Sequence, residues 1–127
     1  MGLILDTNAL SAIAEGDPGA ARHFFRARQV ALPVIVLGEY RFGIGQSRQK
    51  RKYECWLDEL RSLSNVLEVD EDTAIAYAEI RGQLKAAGTP IPSNDVWIAA
   101  LCLQHALPIL TRDRHFDLVK GVRRVDW

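Results

Sequence analysis

The 127-residue chain has only two cysteines, Cys55 and Cys102, far apart and each in a helix-like apolar context. Such a pair suits reduced core thiols of a cytosolic protein and supplies neither a disulfide framework nor a zinc clip. Formal net charge is zero, 16 basic against 16 acidic residues, so a nucleic-acid partner must be argued from local patches and not from bulk charge. The N-terminus lacks the basic segment and long apolar run of an export signal, and Asp6 stands where a myristoylation motif needs Ser or Thr. A cytoplasmic protein without a membrane anchor is therefore expected. Internal repeats, linkers and low-complexity tracts are absent. Gly43-Ile44-Gly45 holds only two glycines of a dinucleotide fingerprint, follows no convincing strand, and reads as a turn. What remains, 48% apolar and 25% charged residues, is an ordinary globular composition, and the length predicts one domain over residues 1–127.

Short apolar runs alternate with helical patterns. Gly2 to Leu5 read as a buried strand, Ala9 to Ala14 as a helical turn or two, and Gly16-Asp17-Pro18-Gly19 as a break before a helix through Ala20 to Ala27. Val30 to Pro33 give a second strand, followed by a helix over about Val34 to Gly43. A longer helix from about Arg48 to Leu63 carries Tyr53, Trp56, Leu57 and Leu60 at i, i+3, i+4, i+7 spacing, a core-facing stripe. Val66 to Val69 form a third strand, Asp70 to Thr73 place acids at a helix N-terminus, and Gly88 stops that helix after about Ala87. A rigid loop, Pro90 to Ser93, leads into an apolar helix from Asp95 to His105, a strand from Pro108 to Thr111, and a fifth strand within Val122 to Val125. The alternation predicts an α/β fold, a short parallel sheet of four to five strands with helices on both faces. Ligands of such sheets bind at the carboxyl ends of strands, near a topological switch point.

Four carboxylates bear on that edge. Asp6 ends the first strand, and Asp113 follows the fourth in Leu110-Thr111-Arg112-Asp113. Taken singly, each is explained as the start of the next helix. Glu39, with Ile35 four residues before it and Phe42 three after, sits on or beside an apolar stripe, where a charge is costly unless paired, protonated or bound to a cation. Asp95 opens the most apolar helix, with Ile98, Ala99 and Cys102 at i+3, i+4 and i+7, and Ser93 or Asn94 can already cap it. Acids converging on one pocket repel one another unless a divalent cation neutralises them. Oxygen ligands, with no His or Cys at ligand spacing, select Mg²⁺ or Mn²⁺ over zinc. Sites of that kind activate water and stabilise the leaving oxygen of a phosphodiester.

Four motifs, "LILDTNAL" at residues 3–10, "VLGEYRFGI" around Glu39, "IPSNDVWIAALCLQHALPILTRDRHFD" from Ile91 to Asp117, and the closing "GVRRVDW", run in order from end to end. Together they resemble the PIN-domain ribonucleases, specifically the VapC-like toxins of bacterial toxin-antitoxin pairs. The resemblance implies a PIN-like three-layer fold and matches Asp6, Glu39, Asp95 and Asp113 to the family's acidic positions. Thr7 and Asn8 match the polar pair after the first acid, and Thr111 the hydroxyl residue before the last. It implies that Asp6, Asp95 and Asp113 hold Mg²⁺ or Mn²⁺, with Glu39 a ligand or the water-orienting base and Asp117 a candidate accessory. It further implies hydrolysis of single-stranded RNA, a VapB-like antitoxin partner, and a homodimer.

Other features receive plainer readings. Arg48, Lys50, Arg51 and Lys52, extended by Arg41, form a solvated helix surface that RNA phosphates would also use. His23, His105 and His115 are scattered; His105 suits a helix C-terminus, and His115 reads as a surface residue. Trp56, Trp97 and Trp127 read as core or interface residues rather than base-stacking platforms. An aspartyl-phosphate phosphotransfer protein also places acids at strand ends. One form needs a second acid where Asn8 stands, and the other needs acids and a lysine that Ile4-Leu5 and Thr111-Arg112 do not supply. A PIN-like RNA- or protein-binding module with weak catalysis is the third reading, against which the complete acidic set argues.

Overall fold

The computed structural model describes residues 2–127. Five strands, β1 (Gly2–Leu5), β2 (Gln29–Pro33), β3 (Asn65–Leu67), β4 (Ile109–Leu110) and β5 (Arg124–Val125), form one parallel sheet in the order β3-β2-β1-β4-β5. Among the described residues six α-helices accompany it: α1 (Thr7–Ala14), α2 (Pro18–Arg26), α3 (Val34–Gly45), α4 (Lys50–Ser62), α5 (Glu71–Ala87) and α6 (Ser93–His105). The expected α/β architecture is borne out. No helix of the described residues is long and apolar enough to cross a membrane.

Leu3, Ile4 and Leu5 are all buried because β1 is central, paired with β2 through Leu3 and Val30 and with β4 through Ile4 and Ile109. A strand covered on both faces needs this continuous apolar run, each fully buried side chain contributing about 1.5–3 kcal/mol. From β1 the chain moves outward to β2 and β3 on one side, then returns to add β4 and β5 on the other. The direction reverses between β1 and β4, so the switch-point crevice opens at their carboxyl ends. Leu5 aligns with Leu110, and the Asp6 N–H donates to the Leu110 carbonyl at 3.2 Å. The register thus brings Asp6 and Thr111 together. Helix α6 is buried at Val96, Ile98, Ala99, Ala100, Leu101 and Cys102, which accounts for its nearly all-round apolar sequence.

Several details correct the sequence reading. Gly43-Ile44-Gly45 is the last turn of α3 and not a loop, because Ile44 continues the buried stripe of Val36, Leu37 and Tyr40 while both glycines face solvent. Phe42 lies off that stripe and is 73% exposed. Strand β3 ends at Leu67; Asp70 caps α5 in a reciprocal capping box with Thr73, and Gly88 ends the helix at a φ of 71°. Helix α6 starts at Ser93 with Pro92 as its N-cap, so neither Ser93 nor Asn94 caps it. Cys102 is buried, whereas Cys55 lies on an exposed face of α4, so the pair is not two core thiols. The sequence reading also lacked a 3-10 turn at Arg114–Leu118, docked by the fully buried Phe116.

Candidate metal centre

Asp6 is buried at the switch point. One carboxylate oxygen accepts the Thr7 backbone N–H at 2.9 Å, so Asp6 does cap α1. The other accepts the Thr111 hydroxyl at 2.7 Å and the Asn8 amide at 3.4 Å. The Thr111 hydroxyl also accepts from Asn8 Nδ2 at 3.1 Å and from the Asp113 backbone N–H at 3.0 Å, which uses its one donor and both acceptor positions. Asn8 Oδ1 accepts the Arg112 N–H at 3.2 Å. Asn8 and Thr111 therefore stitch the β1–α1 junction to the end of β4. Burial pushes the Asp6 carboxyl up to about 6; the Thr111 and Thr7 hydrogen bonds oppose this, and the charges of Asp95 and Glu39 add to it.

The opposite wall comes from α6 and the 3-10 turn. Asp95 lies in the first turn of α6 and is half-buried. Its Oδ2 is 2.9 Å from His115 Nδ1, which is also 3.0 Å from Asp113 Oδ1. Asp113 caps the 3-10 turn by accepting the His115 backbone N–H at 2.9 Å. Ligand atoms of Asp95, Asp113 and His115 all lie within 4.8 Å of one another, the spacing of a shared coordination sphere. Burial raises the Asp95 carboxyl, with the His115 contact opposing and Asp113 and Glu39 reinforcing the rise. The Asp95 hydrogen bond in turn holds the His115 imidazole above its ordinary range.

Glu39 completes the crevice from α3. Thr7 Oγ1 donates to one of its oxygens at 2.9 Å and Asn94 Nδ2 to the other at 3.4 Å. Among the described residues it has no ion-pair partner. The four acids singled out in the sequence thus share one electrostatic neighbourhood, with Thr7, Asn8 and Thr111 between them. His115, read from the sequence as a surface residue, is placed by the structure with its imidazole against two of the acids, a nitrogen donor beside the expected oxygen set. The available signal was the His-Phe pair after the strand-end acid: Phe116 must enter the core, and the tight turn that this imposes sets His115 against Asp113. Asp117, the candidate accessory, pairs with Arg124 at 2.8 Å.

Two further groups singled out in the sequence are the basic cluster and the tryptophans. Arg41 and Lys50 make exposed pairs with Asp58 and Glu54 at 3.5 and 3.7 Å, the behaviour of a solvated helix surface. Trp97 stacks on Tyr77 with ring centroids 4.0 Å apart, and Trp56 leans on Tyr40.

The sequence matches the PIN domain family over residues 3–122. It is 33% identical over 100 residues to ribonuclease VapC5 of Mycobacterium tuberculosis, spanning 77% of this chain and 74% of that protein. It is 28% identical to the tRNA(fMet)-specific endonuclease VapC of Salmonella typhimurium, over 98% and 96% of the two chains. Its fold superimposes on DNA-bound VapBC from Salmonella typhimurium with a TM-score of 0.88 at 26% identity, covering 100% of this chain and 98% of that one. Since the match reaches from the first strand almost to the last, the chain belongs to the PIN-domain family, in its VapC-like branch of ribonuclease toxins.

Proposed function

We propose how this VapC-like ribonuclease toxin acts: Asp6, Asp95 and Asp113 hold Mg²⁺ or Mn²⁺, and single-stranded RNA is hydrolysed beside them, with Glu39 as a further ligand or the base that orients water. The observation that carries the reading is a buried carboxyl, Asp6, whose hydrogen-bond donors are all neutral and which shares its crevice with three more acids. Crowding of that kind favours protonation unless a cation supplies the missing positive charge. The donor chemistry fits a hard divalent ion, since carboxylate oxygens outnumber the single imidazole nitrogen. Bound there, the ion would neutralise the acids, polarise a phosphoryl oxygen and make water more acidic.

The chain's own residues supply positioning and proton transfer. The Thr7 backbone N–H and the Thr111 hydroxyl fix the two oxygens of Asp6, and the Thr7 hydroxyl holds Glu39, so one residue ties a ligand position to the candidate base. Asn94 steadies the second Glu39 oxygen, which remains able to accept a proton from an attacking water. His115 bridges Asp95 and Asp113, spacing two carboxylates that would otherwise repel.

The partner is a VapB-like antitoxin, and we assign the toxin a cytoplasmic location, one PIN domain over residues 1–127 and a homodimeric state. The test is cleavage of labelled single-stranded RNA. Activity with Mn²⁺ or Mg²⁺, abolished by excess EDTA and in a folded Asp6→Asn variant, is expected. Full activity in EDTA, or in folded Asp6→Asn, would overturn the reading.

A further inference from the structure

Between the C-terminal half of α5 and the N-terminus of α6 lies a cavity of about 390 Å³ that the chemistry above does not use. Its volume falls within the range of small-ligand pockets, about 300–1,000 Å³. Leu84, Ile91 and Val96 give it an apolar lining, and Arg81, Lys85 and Ser93 give it polar groups. Like most basic side chains of this protein, Arg81 and Lys85 have no carboxylate partner among the described residues. Arg81 is nevertheless held in place: its guanidinium donates to the Tyr77 hydroxyl, which is 3.2 Å from Ser93 Oγ, while the Tyr77 ring stacks on Trp97. An oriented guanidinium and a free ammonium beside an apolar lining match a phosphate with its attached sugar and base.

The first turn of α6 contributes to both the cavity and the acidic crevice: Ser93 lines the one, and Asn94 and Asp95 reach Glu39 and His115 in the other. Ser93 and Val96 bracket Asn94 and Asp95 in sequence, so one helix end presents different faces to the two sites. We propose that this cavity is a nucleotide subsite of the RNA path, in which Arg81 and Lys85 grip a backbone phosphate flanking the scissile one and the apolar lining receives the adjoining base. The proposal rests on the ribonuclease reading for the identity of its ligand.

The test compares the wild type with the double variant Arg81→Gln/Lys85→Gln, both changes being at exposed positions. Fluorescence anisotropy of a labelled, mixed-sequence single-stranded RNA is measured against salt with chelator present, and cleavage kinetics with Mn²⁺. The variant is expected to bind more weakly, to lower the slope of log affinity against log salt by about 0.7 for each charge removed, and to raise KM while kcat holds. Arg81→Lys is expected to retain the slope. An unchanged slope and KM in the double variant overturns the subsite and leaves the ribonuclease reading standing. A lowered slope in a protein that cleaves no RNA under any divalent ion upholds the subsite and sinks the ribonuclease reading. If a second copy of this chain covers the cavity instead, the variant changes the mass measured by light scattering and leaves the slope untouched, which also overturns the proposal.

Discussion

The two walls of the acidic crevice are held in different ways. On the β1 side, Asp6 is buried and its position follows from sheet register, with neutral donors from Thr7, Asn8 and Thr111 on its oxygens. On the α6 side, Asp95 and Asp113 are less buried and meet across one partly exposed imidazole. The first wall is preorganised by the same contacts that close the β1–β4 seam. The second is held by charge, and its geometry depends on the protonation of His115 or on a cation in its place.

Breaking the preorganised wall has the largest expected effect. Asp6→Asn should lower kcat on single-stranded RNA by about 10³-fold or more, since charge stabilisation worth several kcal/mol is removed. The same change should raise the stability of the metal-free protein near neutral pH by on the order of 1–3 kcal/mol in chemical unfolding. The folded-state carboxyl is pushed up to about 6 from 3.8, so folding binds a proton between those values and stability falls as pH rises through them. An equal or lower stability for Asp6→Asn would contradict that account.

Phe116→Ala loosens the charge-held wall from below. Losing a fully buried ring should cost about 3–5 kcal/mol in urea unfolding, and Mn²⁺ affinity should fall with it because Asp113 and His115 lose their anchored turn. Thr111→Val keeps the shape of the side chain but leaves Asp6 and Asn8 each short of a partner; a loss of about 10–100-fold in metal affinity or activity is expected. His115→Ala gives the smallest effect. Because its folded pKa is raised, His115 stabilises the metal-free protein below its unfolded value of 6.5, and the contribution disappears as pH rises through the folded value. With His115 partly exposed, thermal melts should show a loss below about 1 kcal/mol at about pH 5 and none at about pH 8.

The same contrast marks what was legible in the sequence. Leu3-Ile4-Leu5-Asp6 announces a buried strand ending in an acid, and the alternating pattern supplies the parallel sheet, so the strand-end position of Asp6 could be read from the sequence pattern. The His115 wall could not, because its geometry depends on a 3-10 turn fixed by where Phe116 enters the core. Ser93 and Asn94 illustrate the same difficulty at a helix end. Both are good capping types, yet Pro92 takes the N-cap position, and Asn94 turns its amide to Glu39. The Gly43-Ile44-Gly45 stretch looked like a turn until the burial of Ile44 carried α3 through it. In each case a tertiary contact overrode a correct local propensity.

Mn²⁺ titration by calorimetry, run on the wild type and Asp6→Asn above and below about pH 6, tests the central claim that these acids form a cation site anchored on Asp6. Binding that weakens in the wild type as pH falls through about 6, and that is lost in the folded variant, is the predicted result. Equal affinity in the two proteins, or affinity that ignores pH across that range, would contradict it.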